Sequence, residues 1–325
     1  MIVSNDTIMK PPYTITPQIL QLVSSISVSI GEVNAHHLQK TSPTLRKQHK
    51  IKTIHSSLQI EGNTLTEDQI SAIIEDRRVI GPKKDIAEVV NAIKVYDRLL
   101  KYAPFSERSF LQAHREMMNG LIDTPGKYRS RGVGIVKGAK VTHLAPPASN
   151  VAHLMQQLFD YIKDDQDLMM IKSCVFHYEM EFIHPFADGN GRMGRLWQSV
   201  LLVKEYPVFE FLPFETLIAK RQSSYYKALS ASDKAGHSTS FIEYMLEIID
   251  TSLKDMLKYN NRILKDTDRL DYFFSFGKKV FSRKDYLDFF KTISPATASR
   301  DLAKAVEMKL VKKTGDKNQT VYKKV

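Results

Sequence analysis

The residues best suited to chemistry lie in one contiguous stretch, His-Pro-Phe-Ala-Asp-Gly-Asn-Gly-Arg-Met-Gly-Arg, at positions 184–195. The imidazole of His184 could accept a proton near neutral pH, because imidazole ordinarily titrates at about pH 6.5. Asp188 offers the hard oxygen ligand that Mg²⁺ takes when phosphates and water supply the rest. Gly189 and Gly191 allow a close backbone approach that a Cβ would block. The stretch therefore predicts a base and a metal ligand beside an anion site.

Arg192 and Arg195 are three residues apart, so both guanidinium groups would lie on neighbouring positions of one helix face. Two arginines over one anion site indicate a polyphosphate, with Asn190 and Gly191 completing the cradle. Apolar runs on both sides of the stretch predict helices, so it would form a tight loop that opens a helix. The N-terminus of a helix binds phosphate because its first N–H groups lack intrahelical partners.

The elements that must position this loop are mostly helices. Apolar residues recur at helical spacing over 17–30, 43–60, 64–74, 85–100, 106–118, 150–163, 169–183, 216–229 and 240–264. Between 128 and 148, glycines separate β-forming residues, which predicts a short hairpin with Pro146-Pro147 as a rigid exit. We therefore expect a mainly α fold with a short hairpin.

The composition is that of a basic protein with enough apolar residues, 42% of 325, for a sizeable core. The net charge of +11 favours anionic partners without choosing among nucleotide, nucleic acid and acidic protein. Cys174 is the single cysteine, so no intramolecular disulfide can form and a reducing compartment fits. No apolar run approaches the ~20 residues of a membrane span, so we expect a cytoplasmic protein without a membrane partner.

Residues 270–325 have the pattern of a winged helix-turn-helix domain. Helices are expected to start near Phe281 and at Ser294-Pro295, with a hairpin after them. From residue 276 onward, 13 Lys and Arg stand against 5 Asp and Glu, so most of the net positive charge lies here. In a DNA complex the residues that face the major groove would be Thr297, Ser299, Arg300 and Lys304. The phosphates would be contacted by Lys312, Lys313 and Lys317. Docking of a protein, or dimerisation, is the alternative for this surface.

The stretch at 184–195 resembles the signature of the Fic family, His-x-Phe-x-Asp/Glu-Gly-Asn-Gly-Arg-x-x-Arg, and meets every fixed position. The resemblance implies a helical Fic core that transfers AMP from ATP to a protein hydroxyl and releases pyrophosphate. It assigns the general base to His184, the Mg²⁺ ligand to Asp188 and the γ-phosphate contact to Arg195. The anion hole that it implies consists of Gly189, Asn190, Gly191 and Arg192.

Two further positions of the signature are informative. Phe186 is a packing residue by the same resemblance. Relatives that phosphorylate instead of transferring AMP carry Lys in place of the second glycine, so Gly191 favours AMP transfer. A zinc site of His177, His184 and Asp188 is disfavoured, because the nearby arginines would repel a metal cation unless phosphates intervened.

The predicted hairpin resembles the Fic flap, which aligns a target segment by strand addition. The resemblance places the flap at Gly134, Ile135, Val136, Thr142 and His143. An ordinary surface hairpin is the alternative.

Upstream, Ser57-Leu58-Gln59-Ile60-Glu61-Gly62 resembles the inhibitory motif of the family, Ser/Thr-x-x-x-Glu-Gly/Asn. The resemblance implies a helix over the ATP site, with Glu61 paired to Arg195 in place of the γ-phosphate. One guanidinium cannot bind a carboxylate and a phosphate bidentately at once. Residues 1–100 would then form an N-terminal helical region that carries the inhibitory helix, and 101–265 the Fic catalytic domain.

These features lead us to expect an autoinhibited protein adenylyltransferase that uses Mg²⁺ and ATP on a Ser, Thr or Tyr hydroxyl of a protein, its own included. Two alternatives stay open. One is the removal of AMP from a target, with Glu61 essential instead of inhibitory. The other is a DNA-binding regulator whose core senses nucleotide. The sequence names neither the target nor the event that relieves inhibition, and it leaves open whether the chain forms a homodimer.

Overall fold

The computed structural model describes residues 10–35, 43–132, 134–137, 140–261, 269–270, 273–274, 280–290, 293–315 and 320–324. The helices before residue 262 are α1 Pro17–Ala35, α2 Pro43–Ile60, α3 Glu67–Ile74, α4 Lys83–Tyr96, α5 Glu107–Met117, α6 Ala148–Asp164, α7 Met169–Ile183, α8 Asn190–Glu205, α9 Glu215–Lys220, α10 Gln222–Ala235 and α11 Thr239–Asn261. A hairpin of β1 Gly134–Lys137 and β2 Lys140–Leu144 lies between α5 and α6. The mainly helical fold class and the hairpin are therefore as predicted.

Helix ends follow the local sequence closely. Thr16 accepts the N–H of Ile19 at 3.2 Å through its hydroxyl, at the start of α1. Gly62 ends α2 with φ of 91°, a left-handed conformation that favours glycine. At the start of α3, Thr66 and Gln69 cap each other, with side chain to backbone bonds in both directions.

Two predicted helices have different bounds in the structure. The helix expected over 85–100 ends at Tyr96 and is followed by a 3₁₀ turn at Leu99–Lys101. The helix expected over 216–229 is two helices, because Arg221 leaves the helical region with φ of −113° and ψ of 32°. Apolar periodicity continues across both breaks, so it could not locate them.

An aromatic cluster fixes the loop between α7 and α8 to the core. Phe110 of α5 lies 5.4 Å from Phe186 of the loop and 5.1 Å from Trp197 of α8, measured between ring centroids. Phe159 of α6 and Phe176 of α7 contact the same ring of Phe110, at 5.6 and 5.9 Å. Phe186 is fully buried, which confirms it as a packing residue. Four helices thereby hold the loop from behind.

The chain divides into two compact units, Met1–Leu257 and Lys258–Val325. The N-terminal helices and the region after residue 100 share one buried core, which includes Leu58 of α2, Val89 of α4 and Leu201 of α8. The division that we predicted near residue 100 therefore lies within a continuous core.

From residue 280 onward, the described part of the second unit contains a three-stranded antiparallel sheet, with strand order β3-β5-β4, and two helices. Its elements are β3 Val280–Ser282, α12 Arg283–Phe289, α13 Pro295–Glu307, β4 Val311–Thr314 and β5 Val321–Lys324. We expected Phe281 to start a helix, but it lies in β3 opposite Tyr322, and α12 begins only after its cap, Ser282. The assignment of this unit as a winged helix-turn-helix stays a prediction.

Part of the aromatic run at 272–276 contributes to the core of the second unit. Phe273 and Phe274 are buried there beside Phe281 and Tyr286. Tyr272, Ser275 and Phe276 lie outside the described residues, as does Lys317. Among the described residues, no helix is both long and apolar enough to cross a membrane.

Candidate active site

The loop between α7 and α8 closes on itself through one side chain. His184 ends α7 in a left-handed conformation, with φ of 49° and ψ of 61°. Gly189 precedes α8 with φ of 89°. Phe186 lies between these two residues. The side-chain amide of Asn190, the first residue of α8, accepts the N–H of Phe186 and donates to its carbonyl oxygen, both at 2.9 Å. Asn190 therefore fixes the loop backbone from within, beside the first turn of α8.

His114 of α5 supports the same loop from behind. Its Nδ1 accepts the backbone N–H of Gly126 at 2.8 Å, so its Nε2 carries the proton and donates to the carbonyl oxygen of Asp188 at 3.0 Å. The ring stacks on Phe186 with 3.5 Å between centroids. Burial lowers the pKa of His114 to about 4, which keeps the imidazole neutral at physiological pH. His114 is thus a fixed support and not a proton carrier.

Arg129 binds the backbone at His184. Its Nε donates to the carbonyl oxygen of His184 at 2.7 Å, and Nη2 donates to those of Ile183 at 3.2 Å and Pro146 at 2.6 Å. The backbone N–H of Arg129 donates to the carbonyl oxygen of Pro185 at 2.9 Å. Because Pro146 follows β2 closely, this one guanidinium joins the exit of the hairpin to the turn that presents His184.

A cavity of about 640 Å³ opens in front of the loop. The predicted site residues that line it are Glu61, His184, Asp188, Gly189, Asn190, Gly191 and Arg195. Tyr225 and Tyr226 of α10 line it as well. Residues from α2, from the loop and α8, and from α10 thus meet around one cavity.

Arg195 is held by the helix that carries the predicted inhibitory motif. Its Nη2 donates to Glu61 Oε1 at 2.7 Å and to the carbonyl oxygen of Ser57 at 2.9 Å, and its Nε donates to Ser57 Oγ at 3.1 Å. Burial alone would lower the pKa of Arg195, but the Glu61 carboxylate raises it above its ordinary value. The Arg195 side chain is 1% exposed and that of Glu61 29%, so the acid is the accessible partner. We call Glu61 and Arg195 the inhibitory pair, after the role predicted for Glu61.

Arg192, predicted in the anion cradle, lies buried beneath the cavity instead of lining it. Its Nη1 donates to Glu88 Oε1 at 3.1 Å and its Nη2 to Asp188 Oδ1 at 3.0 Å. The Asp188 side chain remains 47% exposed and lines the cavity. Arg192 therefore orients Asp188 from below.

A buried polar network borders the inhibitory pair. His177 contacts Gln198 Oε1 through Nδ1 at 2.7 Å and the Tyr225 hydroxyl through Nε2 at 3.0 Å. That hydroxyl lies 3.3 Å from Glu181 Oε1. Burial, and secondly the negative charge of Glu61, raise the pKa of Glu181 to about 7. His177 is thus a buried, hydrogen-bonded histidine.

The hairpin carries all five predicted flap residues within its strands. Gly134 pairs with Leu144 and Ile135 with His143, whereas Val136 pairs with Val141. The register therefore shifts by one residue, and Thr142 is the extra residue of a bulge. β2 lies beside α10, which lines the cavity.

No group of three or more His, Cys, Asp and Glu side chains within the described ranges could hold a metal ion by itself. Asp188 is a single carboxylate at the cavity, which fits a cation that takes most of its ligands from phosphates and water.

Sequence reasoning missed four residues at this site, namely Glu88, His114, Arg129 and Glu181. Each is one polar residue without a motif, and the first three reach the 184–195 stretch across 55 to 104 positions of the chain. Glu181 lies three residues before His184, so its closeness to the motif was the one available signal.

A model of the Fic/DOC family matches residues 104–202, from the start of α5 into α8. The crystal structure of a Fic family protein from Desulfovibrio desulfuricans G20 is 37% identical to this chain, with a TM-score of 0.76. The match covers 97% of this chain and 98% of that one. This chain belongs to the Fic family.

Other Fic proteins match less of the chain. Protein adenylyltransferase Fic of Drosophila willistoni is 27% identical over 231 residues, which cover 67% of this chain. The chain spans only 44% of the length of that relative. Residues 134–508 of Fic-1 from C. elegans share the fold with a TM-score of 0.60 at 20% identity, covering 74% of this chain and 72% of that one. The Fic core is thus common to all of them.

Proposed function

We propose that this protein is an autoinhibited protein adenylyltransferase, which transfers AMP from ATP to a hydroxyl group of a protein. The observation that carries the proposal is the shared cavity, in which His184, the N-terminus of α8 and Arg195 face the same space. The name of the Drosophila relative supports the same activity.

The first turn of α8 supplies the phosphate site. Met193 is the first residue of the helix whose N–H bonds back along it, to the carbonyl oxygen of Gly189 at 3.0 Å. The N–H groups of Asn190, Gly191 and Arg192 therefore have no acceptor within the helix and can bind phosphate oxygens. Gly191 leaves room for an anionic group beside these N–H groups. In the resting state the Glu61 carboxylate takes that room, and a Cβ at position 191 would collide with it.

Asp188 is the residue that would hold Mg²⁺ at the phosphates. The bound cation would offset negative charge on the phosphate oxygens of the nucleotide. Asp188 suits this task because Arg192 orients its carboxylate through Oδ1 while the side chain remains half exposed.

His184 acts as the general base in this proposal. Its imidazole accepts the proton of the target hydroxyl as the hydroxyl oxygen attacks the α-phosphorus. A bond forms between that oxygen and phosphorus, the bond to the bridging oxygen of the β-phosphate breaks, and pyrophosphate leaves. The hairpin would present the target segment by strand addition, and Arg129 connects its exit to the backbone of His184.

The inhibitory pair restrains this reaction. Arg195 would bind the γ-phosphate, but its Nη2 is occupied by Glu61 at 2.7 Å. ATP that cannot place its γ-phosphate there would hold its α-phosphate away from in-line attack, and lost alignment alone can slow a reaction by several orders of magnitude.

The test is transfer of label from ATP labelled at the α-phosphate, with the full chain and a cell lysate, in Mg²⁺ and in Mn²⁺. We expect Glu61→Gly to increase labelling of the protein itself or of a lysate protein, and His184→Ala in that background to abolish it. Gln59→Gly is the matched control, because Gln59 is exposed on the same helix end. No labelling with Glu61→Gly under either metal would refute the proposal.

The same variant separates transfer from removal of AMP. If wild-type protein released AMP from targets that Glu61→Gly protein had labelled, and Glu61→Gly could not, Glu61 would be a residue of the removal reaction. If wild-type protein released none, Glu61 would be inhibitory only.

DNA binding by the second unit is a second candidate function. The observation that favours it is the surface of α13 and β4, where Arg300, Lys312 and Lys313 are exposed and Lys304 is half exposed. Affinity for duplex DNA should fall steeply with salt, because each phosphate contact releases counterions. Affinity that stays millimolar at low salt would leave docking of a protein as the use of this surface.

A further inference from the structure

Glu88 of α4 connects two parts of the site that the sequence placed far apart. Its Oε1 accepts from Nη1 of Arg192 at 3.1 Å, and its Oε2 accepts from Nδ2 of Asn63 at 2.8 Å. The side chains of Arg192 and Glu88 are 3% and 7% exposed, and Asn63 is buried with them. One buried carboxylate thus joins the phosphate-binding loop to the segment that follows α2.

Asn63 fixes the position of the end of α2. It follows Glu61 by two residues, its N–H donates to the carbonyl oxygen of Leu58 at 3.1 Å, and its Oδ1 accepts the N–H of Leu65 at 3.1 Å. Nδ2 also donates to the carbonyl oxygen of Asp85 at 3.1 Å. A displacement of Asn63 therefore moves the turn that presents Glu61 to the cavity.

The orientation of Arg192 depends on the same carboxylate. Its guanidinium is held by Glu88 on one side and by Asp188 on the other. Its Nε is buried and has no hydrogen-bond partner within the part of the chain that the structure describes. A buried charge pair is stable only while both partners keep their contacts. A displacement of Arg192 therefore changes the position of Glu88, and through Glu88 that of Asn63.

We propose that Glu88 is a positioning residue that holds Arg192 beneath Asp188 and at the same time anchors the turn that carries Glu61. The inhibitory helix then has two attachments to the loop, a direct one from Glu61 to Arg195 and an indirect one from Asn63 through Glu88 to Arg192. Loss of the second attachment weakens inhibition while every catalytic residue stays in place. The inference rests on the proposed function, because it concerns how inhibition is maintained.

The experiment is AMP transfer measured for Asn63→Ala and Glu88→Gln, each in the wild-type chain and in the Glu61→Gly chain. Asn63→Ala should raise the wild-type rate about 5-fold or more, the lower end of measured coupling between sites. Asn63→Ala should leave the rate of the Glu61→Gly chain within about 2-fold, because the Glu61 carboxylate, whose position Asn63 maintains, is absent from that chain. Equal increases in both chains, or no increase in the wild-type chain, would overturn the inference.

Glu88→Gln tests the other end of the connection. In the Glu61→Gly chain it should raise KM for ATP several-fold with a smaller change in kcat, because Arg192 loses the carboxylate that holds it in place to orient Asp188. A role in stability alone would lower the thermal midpoint and leave KM unchanged, and that result would overturn the inference. Lys94→Ala is the control on the same helix, since Lys94 is exposed, and its KM should match that of the parent.

Asn63→Asp is a second variant that tests the same contact if Asn63→Ala does not fold. It keeps the shape of Asn63 but replaces the donor with a carboxylate facing Glu88, so it should raise the wild-type rate at least as much as Asn63→Ala. A folded Asn63→Asp protein with the wild-type rate would overturn the inference. An inactive Glu61→Gly protein would instead count against the proposed function, so the two failures are distinguishable.

Discussion

Arg129 donates through Nε to the carbonyl oxygen of His184 at 2.7 Å, across 55 positions of the chain. The contact matters because His184 adopts φ of 49°, which costs about 1 kcal/mol or more for a residue with a Cβ. The guanidinium contributes several donors to this turn in one plane, a geometry that a single ammonium cannot reproduce. The arrangement of the proposed general base is thus maintained by a residue outside the signature.

Arg129→Lys should therefore lower kcat while KM for ATP changes little. We expect a loss on the order of 10-fold to 100-fold, as for other displacements of a reacting group by about 1 Å. The measurement is AMP transfer in the Glu61→Gly chain, with Arg131→Lys as control because the Arg131 side chain is exposed. Identical kcat for both variants would show that the contact is dispensable.

Gly194→Ala should destabilise the protein, whereas Gly31→Ala should not. A Cβ at Gly194 would lie 2.6 Å from Cδ2 of the buried His177 ring, but at Gly31 of α1 it would meet nothing within 4 Å. Overpacking of a core costs about 1–3 kcal/mol, while Ala in an exposed helix position gains up to about 1 kcal/mol over Gly. Urea unfolding, monitored by the fluorescence of Trp197, measures the stability of both variants. Equal unfolding midpoints for Gly194→Ala and Gly31→Ala would contradict the packing argument.

The contribution of Glu181 to stability should decline as pH rises from about 4.5 to 7. Burial raises the pKa of this carboxyl from its ordinary 4.5 to about 7, so within that window the folded protein holds a proton that the unfolded chain has released. Burial raises the pKa of Glu179 and of Glu215 to about 7 in the same way. Above pH 7 the contribution is constant.

Glu181→Gln should therefore remove this contribution and make the slope of stability against pH more positive in this window. The number of protons released on unfolding, obtained from the slope of stability against pH, should fall by up to about one. The measurement is urea unfolding at several pH values between 5 and 8. An unchanged slope would mean that Glu181 is ionised in the folded protein throughout this range.

Mg-ATP should stabilise a protein without Glu61 more than it stabilises the wild type. Removal of the acid leaves Arg195 buried without its carboxylate, so phosphate can bind without displacing a competitor. Thermal midpoints with and without Mg-ATP, compared between His184→Ala and the Glu61→Gly, His184→Ala double variant, measure this without turnover. Equal shifts in both proteins would show that Glu61 does not compete with the nucleotide.

The sequence predicted the part of the site that is contiguous. From His184 to Arg195 the residue types carry the chemistry and their spacing places them at a helix start, so little depends on the remaining fold. Ser57 and Glu61 could be paired with Arg195 only through the family resemblance, because nothing local to α2 indicates which helix it contacts.

The residues that escaped prediction act across long sequence separations. His114 lies on an amphipathic helix, where a buried histidine gives no signal until its two backbone partners are known. Glu88 lies beside ordinary helix residues and becomes informative only when α4 is placed next to α8. Short breaks such as Arg221 also escaped, because apolar periodicity averages over several turns.

The ring of Phe186 belongs both to the catalytic loop and to the aromatic cluster of the core. The loop therefore cannot open by itself, since to expose it would mean pulling a fully buried ring from among four helices. The buried backbone N–H of Phe186, which donates to Asn190 Oδ1, should exchange with solvent only through events close to global unfolding. The turn at Glu61 has no such ring and lies at the rim, so it can fluctuate while the loop stays rigid. The turn that regulates the site would then open at a lower free energy than the loop that carries the catalytic residues.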